Sequence, residues 1–227
     1  MKVSFLIPAY NEGGTIAEVI AQLQALPFDK QLIVVDDGST DETPAILERL
    51  AGEHANVVVL RQPNQGKGAA LRAGIPQIDG EIVVIQDADL EYDAGDIPGL
   101  IEPIVQGVAD VVYGSRLSGG RPQRAYLFWH RVGNHFLSLV AGVLYNTTLS
   151  DMETGYKAFR ADVLRGLELR ENGFGIEPEI TGRICRQRLR IYEVPIAYYG
   201  RTYAEGKKIT WRDGFKALWV LVRVRFS

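Results

Sequence analysis

The sequence predicts an α/β fold: a mostly parallel central sheet flanked by helices. Two observations point there. Short β-branched runs alternate through the first half with helical patterns of roughly ten to fifteen residues, the signature of βαβ units. Several of these runs, such as Leu32-Ile-Val-Val35, are continuously apolar, as strands covered on both faces are.

Taken in order, Val3–Ile7, Gln31–Asp36, Asn56–Leu60, Glu81–Gln86 and Asp110–Gly114 read as strands. The first helix opens with Thr15-x-x-Glu18 and the second with Ser39-x-x-Glu42. Both are capping-box patterns, in which hydroxyl and carboxylate satisfy each other's exposed backbone N–H, and the second carries Pro44 in its first turn. Leu117 to Arg131 reads as loop, with Gly119, Gly120 and Pro122. Helical periodicity returns over Arg131–Tyr145 and Glu177–Arg188, Arg190–Ile196 reads as a strand, and Trp211–Phe226 as an amphipathic helix. With no repeat or low-complexity linker, the expected organisation is one domain over residues 1–208 and an appended helix over 209–227.

The 227 residues are 46% hydrophobic and 23% charged, as in an ordinary globular protein. A net charge of −3 gives no case for nucleic acid, but the charge is uneven. From Arg201 onward seven Lys or Arg face two acidic residues, so this tail carries +5 and residues 1–200 carry −8. The single cysteine, Cys185, excludes an internal disulfide, and with three histidines no Cys/His zinc cluster is expected. The first apolar stretch is too short for a signal peptide, and the longest uncharged run, Phe136 to Ser150, falls short of the roughly 20 residues that span a bilayer. A cytoplasmic setting is expected.

The chemistry gathers at the strand ends. Asp87-Ala88-Asp89 follows the fourth strand directly. Side chains alternate along a strand, so both carboxylates point the same way and suit one hard cation, magnesium or manganese. Pro8-Ala-Tyr-Asn-Glu12, Asp36-Asp-Gly-Ser-Thr-Asp41 and Asn64-Gln-Gly-Lys-Gly68 follow the first three strands. All four clusters should meet on the rim where doubly wound sheets bind ligands. A cleft holding Glu12, Asp37, Asp87 and Asp89 repels anions unless a divalent cation is present, which makes a metal-bound diphosphate its natural occupant. Ser39 is expected to cap the second helix, leaving Asp37 free. Gly66-Lys67-Gly68 is no Walker loop, because Arg61 stands where its first glycine belongs and no Ser or Thr follows Lys67. No Gly-x-Gly-x-x-Gly follows the first strand either.

In this order the motifs Pro8-Ala-Tyr-Asn-Glu12, Val34-Val-Asp-Asp-Gly-Ser-Thr-Asp41, Gln65-Gly-Lys-Gly68, Asp87-Ala-Asp-Leu-Glu91, Gly114-Ser-Arg116, Asp151-Met-Glu-Thr-Gly-Tyr-Lys157 and Arg201-x5-Lys207 resemble those of a family 2 glycosyltransferase of the GT-A fold. The resemblance extends along nearly the whole chain and is strongest to the dolichol-phosphate mannose synthase and polyprenyl-phosphate sugar synthase branch. It implies that Pro8, Tyr10, Glu12, Val35 and Asp37 hold the nucleoside, with Asp37 on the base. It implies that Asp87, Ala88 and Asp89 lie against the ribose and diphosphate and carry Mg2+ or Mn2+, with Glu91 completing the metal shell. Arg201 and Lys207 match cations of a loop that closes over the donor. Arg116 and Arg131 match arginines that receive an acceptor phosphate, with His135 in the place of a hydroxyl donor.

The implied reaction moves a hexose, with inversion, from a GDP-mannose or UDP-glucose type of donor to a polyprenyl or dolichyl monophosphate. Asp89, Arg116, Arg131 and Asp151 are then the candidate catalytic residues. A phosphate acceptor is already an anion and needs positioning, which arginine does in bidentate fashion. Asp151 and Glu177 are candidate bases for an alcohol acceptor, or else partners of backbone groups and Arg183. Alternatives keep the donor site but use a soluble or polysaccharide acceptor, or make the chain a non-catalytic sugar-nucleotide-binding subunit. Trp211, Phe215, Leu218, Trp219 and Val222 line one face of the last helix, flanked by basic residues, as in a helix lying at an anionic membrane surface. The expected location is therefore peripheral, on the cytoplasmic membrane face, with a small membrane-protein subunit as a further partner.

Overall fold

The computed structural model describes residues 1–125, 128–201 and 211–227, the side chains of Trp211 and Arg212 excepted. Strands β1 (Lys2–Ala9), β2 (Asp29–Asp36), β3 (Val57–Arg61), β4 (Ile82–Ile85), β5 (Val111–Ser115), β6 (Lys157–Arg160) and β7 (Ile191–Pro195) form one sheet in the order β3-β2-β1-β4-β6-β5-β7. All pairings are parallel except those of β6, which runs antiparallel between β4 and β5. The expected mixed α/β sheet is present; β6 is the strand that the sequence reading lacks.

Side-chain alternation splits the core into two layers. Phe5, Ile7, Leu32, Val34 and Val84 pack on one face against α1 (Ile16–Gln24), α2 (Thr43–Glu53) and α4 (Ile97–Val105). Leu6, Ile33, Val35, Val83 and Ile85 pack on the other against α3 (Lys67–Gly74), α6 (Ala161–Arg165) and α7 (Ile176–Arg186). These residues are almost wholly buried, each contributing roughly 1.5–3 kcal/mol of transfer free energy. A third cluster of Leu137, Ala141, Met152, Ala217 and Leu221 joins α5 (Phe128–Tyr145) to α8 (Trp211–Phe226).

Neither capping box forms. The Thr15 hydroxyl donates to the Ala88 carbonyl at 2.7 Å instead of closing the cap of α1. Ser39 accepts from the Asn11 N–H at 2.9 Å, and Asp41 receives the Thr43 and Gly13 N–H groups at 2.9 and 3.0 Å. The loop after β1 is thus sewn to the loop after β2, and that task takes precedence over helix capping.

Helix α8 differs from a loosely attached tail. Its Ala217, Val220, Leu221 and Val224 are buried, while Lys216 and Arg223 reach Glu171 at 2.9 Å each. Of the stripe that the sequence singles out, Phe215 (67%), Trp219 (64%) and Val222 are exposed, Leu218 packs half-buried toward α5, and the Trp211 side chain lies outside the described residues. The helix is apolar on two faces, and the one carrying Ala217, Val220, Leu221 and Val224 is buried against the protein.

Candidate active site

A cleft of about 1190 Å³ opens at the carboxyl ends of β1, β2 and β4. Pro8, Tyr10, Glu12, Asp37, Asp87, Ala88, Asp89, Glu91, Arg116, Arg131 and Arg201 all line it. Val35, Asp151 and His135 do not: Val35 and Asp151 are buried behind the wall, and His135 is exposed elsewhere on α5. Lys207 lies outside the described residues.

Asp37 is not left free. It accepts from Gln62 Nε2 at 2.6 Å and from the Gln65 and Gly66 N–H groups at 2.9 and 2.7 Å. It therefore fixes the loop that leads into α3. That loop needs its glycine: Gly66 has φ +102°, and a Cβ there would stand 2.6 Å from the Asn172 carbonyl oxygen.

The acidic wall follows. Leu90 has φ +60°, a strained conformation for a side chain of its kind, and it separates Asp89 from Glu91 so that both enter the cleft. Arg201 serves both, with Nη2 2.8 Å from Asp89 and Nε 3.3 Å from Glu91, and it lies 3.7 Å from Glu12. Asp87 is held by Lys67 at 2.7 Å, and Lys67 also reaches Glu177 at 3.1 Å. Burial, then the charges of Asp87 and Glu91, push the Asp89 carboxyl up to about 7 despite Arg201. Among the described residues, Lys67 and Arg201 are the cations paired with Asp87, Asp89 and Glu91. The wall's all-oxygen donor set suits Mg2+ or Mn2+, although no three His, Cys, Asp or Glu among the described residues converge as a preformed metal cage.

The opposite wall is cationic. Arg116 grips Asp151 through Nε and Nη2, both at 2.7 Å, and through its backbone N–H at 2.9 Å, and its guanidinium lies over the Tyr198 ring. Burial opposes ionisation of Asp151, yet Arg116 outweighs it and holds the carboxyl below its usual range. Asp151 is thus an anchor for Arg116, not a base facing substrate. Glu177 is likewise committed, its carboxyl held low against burial by Lys157 and Lys67. Arg131 stands exposed at the mouth, with no ion pair among the described residues.

Three contributors escape the sequence reading. Lys67 belongs to a cluster expected on the rim, but its role in bridging Asp87 and Glu177 has no signal in the sequence. Thr15 looks like a cap. The outer face of α5 carries Phe128, Trp129, Val132, Phe136, Leu139 and Val143, all exposed, and Phe128, Trp129 and Phe136 line the cleft together with Phe215 of α8; their near-helical spacing lay partly inside a segment read as loop.

Comparison with known proteins agrees with this geometry. The chain is 34% identical over 200 residues to Glycosyltransferase AglJ of Haloferax volcanii, covering 88% of this chain and 63% of that protein. It is 31% identical over 213 residues to Dolichol-phosphate mannosyltransferase of Pyrococcus furiosus (91% and 59%), and 32% identical over 220 residues to Undecaprenyl-phosphate mannosyltransferase of Micrococcus luteus (91% and 87%). The chain spans roughly half to two thirds of the length of the first two. Its fold matches that of glucosyl-3-phosphoglycerate synthase from Mycobacterium tuberculosis, crystallised with Mn2+, UDP and glucosyl-3-phosphoglycerate, with a TM-score of 0.76 at 22% identity, over 98% of this chain and 79% of that one. Residues 4–167 match Glycosyl transferase family 2, and with that span, that fold and these relatives the chain belongs to this family.

Proposed function

We propose that the protein transfers a hexose, with inversion, from a nucleoside-diphosphate sugar to a polyprenyl monophosphate at a membrane surface. One observation carries the reading: a single cleft has a carboxylate wall at Asp87, Asp89 and Glu91, arginines at Arg116 and Arg131, and a mouth of exposed aromatic side chains from α5 and α8.

Each part has a task. Pro8, Tyr10 and Asp37 border the pocket for the nucleoside, and Asp37 holds the wall that faces the base. Asp87, Asp89 and Glu91 are the residues that would hold Mg2+ or Mn2+, an ion that supplies Lewis-acid stabilisation of the leaving diphosphate. Arg201 exchanges its carboxylate partners for the donor phosphates when the donor enters, with Lys207 as its companion in the segment that follows. Arg131 and the remaining edge of Arg116 take the acceptor phosphate, whose charge at neutral pH removes the need for a base. That agrees with Asp151 and Glu177 being fully committed to cations.

The acceptor's lipid tail requires the mouth of the cleft to sit at the bilayer. Phe128, Trp129, Phe136, Phe215 and Trp219 present apolar surface there, with Arg131 among them, the composition of a protein face that lies in the headgroup region. No helix among the described residues is long and apolar enough to cross a membrane. The names of the relatives, a dolichol-phosphate and an undecaprenyl-phosphate mannosyltransferase, support the acceptor class. The deciding experiment incubates the protein and Mg2+ or Mn2+ with UDP- and GDP-sugars and a short polyprenyl phosphate, reading products by mass. A hexosyl polyprenyl phosphate is expected; sugar transferred only to alcohols would refute the acceptor.

A further inference from the structure

Glu153 is an anomaly in this cleft. It lines the cavity, its Oε1 is shielded from solvent, and among the described residues its carboxyl makes no hydrogen bond or ion pair. The carboxylates around it are all matched: Asp87 and Glu177 by Lys67, Asp89 and Glu91 by Arg201, Asp151 by Arg116. A shielded acceptor without a donor costs free energy in the empty protein, so its retention calls for an explanation in terms of function.

Its place supplies one. Two residues before it, Asp151 anchors Arg116 on the acceptor side. Two residues after it, Gly155 lies against the donor side so closely that a Cβ there would stand 2.2 Å from Asp87 Oδ2 and 3.1 Å from Lys67 Nζ. The Gly155 N–H donates to the Tyr92 hydroxyl at 2.9 Å, which pins the turn. Glu153 is therefore at the middle of a five-residue bridge between the residues for the leaving diphosphate and the arginine for the incoming phosphate. The group that must lie between those two phosphates is the sugar in transit.

We propose that Glu153 receives hydroxyl groups of the transferred hexose and thereby selects the sugar. This rests on the glycosyl-transfer reading above and adds to it the residue that recognises the sugar itself. A hexose offers several O–H donors, and a carboxyl group accepts them through its oxygens. A site built to hold a hydroxyl discriminates sharply against analogues lacking it.

The test needs no acceptor. Affinities of the wild type, Glu153→Gln and Glu153→Ala are measured by calorimetry for UDP- and GDP-hexoses, their monodeoxy analogues and the matching free nucleoside diphosphates. The expected result is nucleoside diphosphate affinity unchanged within about twofold and sugar-nucleotide affinity lowered about tenfold or more in Glu153→Ala. One monodeoxy analogue should bind the wild type weakly, and Glu153→Ala should not distinguish it from its parent. Thermal unfolding gives a second readout: Glu153→Gln should melt no lower than the wild type, because an unpaired carboxyl beside Glu177 is removed. Equal loss of sugar-nucleotide and free diphosphate would place Glu153 on the diphosphate and overturn the proposal. So would unchanged binding of both, or a lower melting temperature in Glu153→Gln. A wild type that binds nucleoside diphosphates but no sugar nucleotide overturns the transfer reading as well, and is told apart by that pattern.

Discussion

Replacing Arg201 by alanine isolates the electrostatics of the donor wall. Its guanidinium lies 2.8 Å from Asp89, 3.3 Å from Glu91 and 3.7 Å from Glu12, with three quarters of its side chain out of solvent. Without it, Asp89 and Glu91 face each other and lose the cation that serves both. Breaking a fully buried pair costs roughly 3–5 kcal/mol, and Arg201 is a quarter exposed, so a loss of about 2 kcal/mol is expected. For a chain of this size that lowers the melting temperature by roughly 4–8 °C. The measurement belongs at pH 8: Asp89 is pushed up to about 7, so below that pH it takes up a proton and relieves the repulsion. Calorimetric scans of wild type and Arg201→Ala are compared in EDTA and in millimolar MgCl2 or MnCl2. The variant should regain most of its deficit with the divalent ion, which binds the vacated carboxylates and stabilises the folded state by mass action. A variant that melts with the wild type in EDTA, or that gains no more from the ion than the wild type does, would show that Arg201 does not neutralise this wall.

Arg131→Ala should abolish transfer to polyprenyl phosphate and leave sugar-nucleotide affinity within about twofold; calorimetry in which donor affinity falls in parallel would move Arg131 to the donor side. Lys67→Met leaves Asp87 and Glu177 without their shared partner and should cost roughly 3 kcal/mol in urea unfolding, with an unchanged midpoint counting against the bridge. Burial and the charge of Glu177 push the Glu153 carboxyl up to about 7 from 4.5, so the folded state keeps a proton that the unfolded chain has released. Stability should therefore fall as pH rises from about 4.5 to about 7, by on the order of 2 kcal/mol given the cleft's access to solvent, and Glu153→Gln should flatten that slope. Finally, the protein should sediment with vesicles containing anionic lipid and be released by salt; Trp129→Ser with Trp219→Ser should weaken this without lowering the melting temperature, since both rings are mostly exposed.

Much of this fold was legible because long apolar strands and their helices announce themselves by period. Lys157–Arg160 did not: four residues, Lys-Ala-Phe-Arg, give no alternation to read, and their pairing with β4 and β5 is decided by distant partners. The caps misled for a related reason. Ser39 and Thr15 have the right spacing, but their hydroxyls are claimed by Asn11 and Ala88 across the rim, contacts that local sequence cannot express. At the site, residue types at strand ends were enough to gather Glu12, Asp37, Asp87 and Asp89 into one cleft, and the family resemblance added Arg116 and Arg201. The pairing among them was not legible: which carboxylate takes Lys67, that Arg116 is spent on Asp151, and that Glu153 is left over all depend on three-dimensional proximity. The outer face of α5 was missed because the helix begins at Phe128, inside a segment whose glycines and proline suggested loop.

The position of β6 also sets an order of assembly. The neighbours β3, β2, β1 and β4 are all synthesised by residue 85, and their mutual parallel pairs can close as the chain emerges. Strand β5 cannot join them, because both of its neighbours, β6 and β7, come later in the chain. Until Lys157–Arg160 docks, the apolar strand Ile82-Val-Val-Ile85 is an open edge, the kind of surface that pairs with other chains. The donor rim is thus built early on a half-sheet that stays adhesive, while the acceptor side waits for a four-residue strand to bridge it. Weakening that strand should first appear as aggregation of newly made chains, at temperatures where the finished protein is still folded.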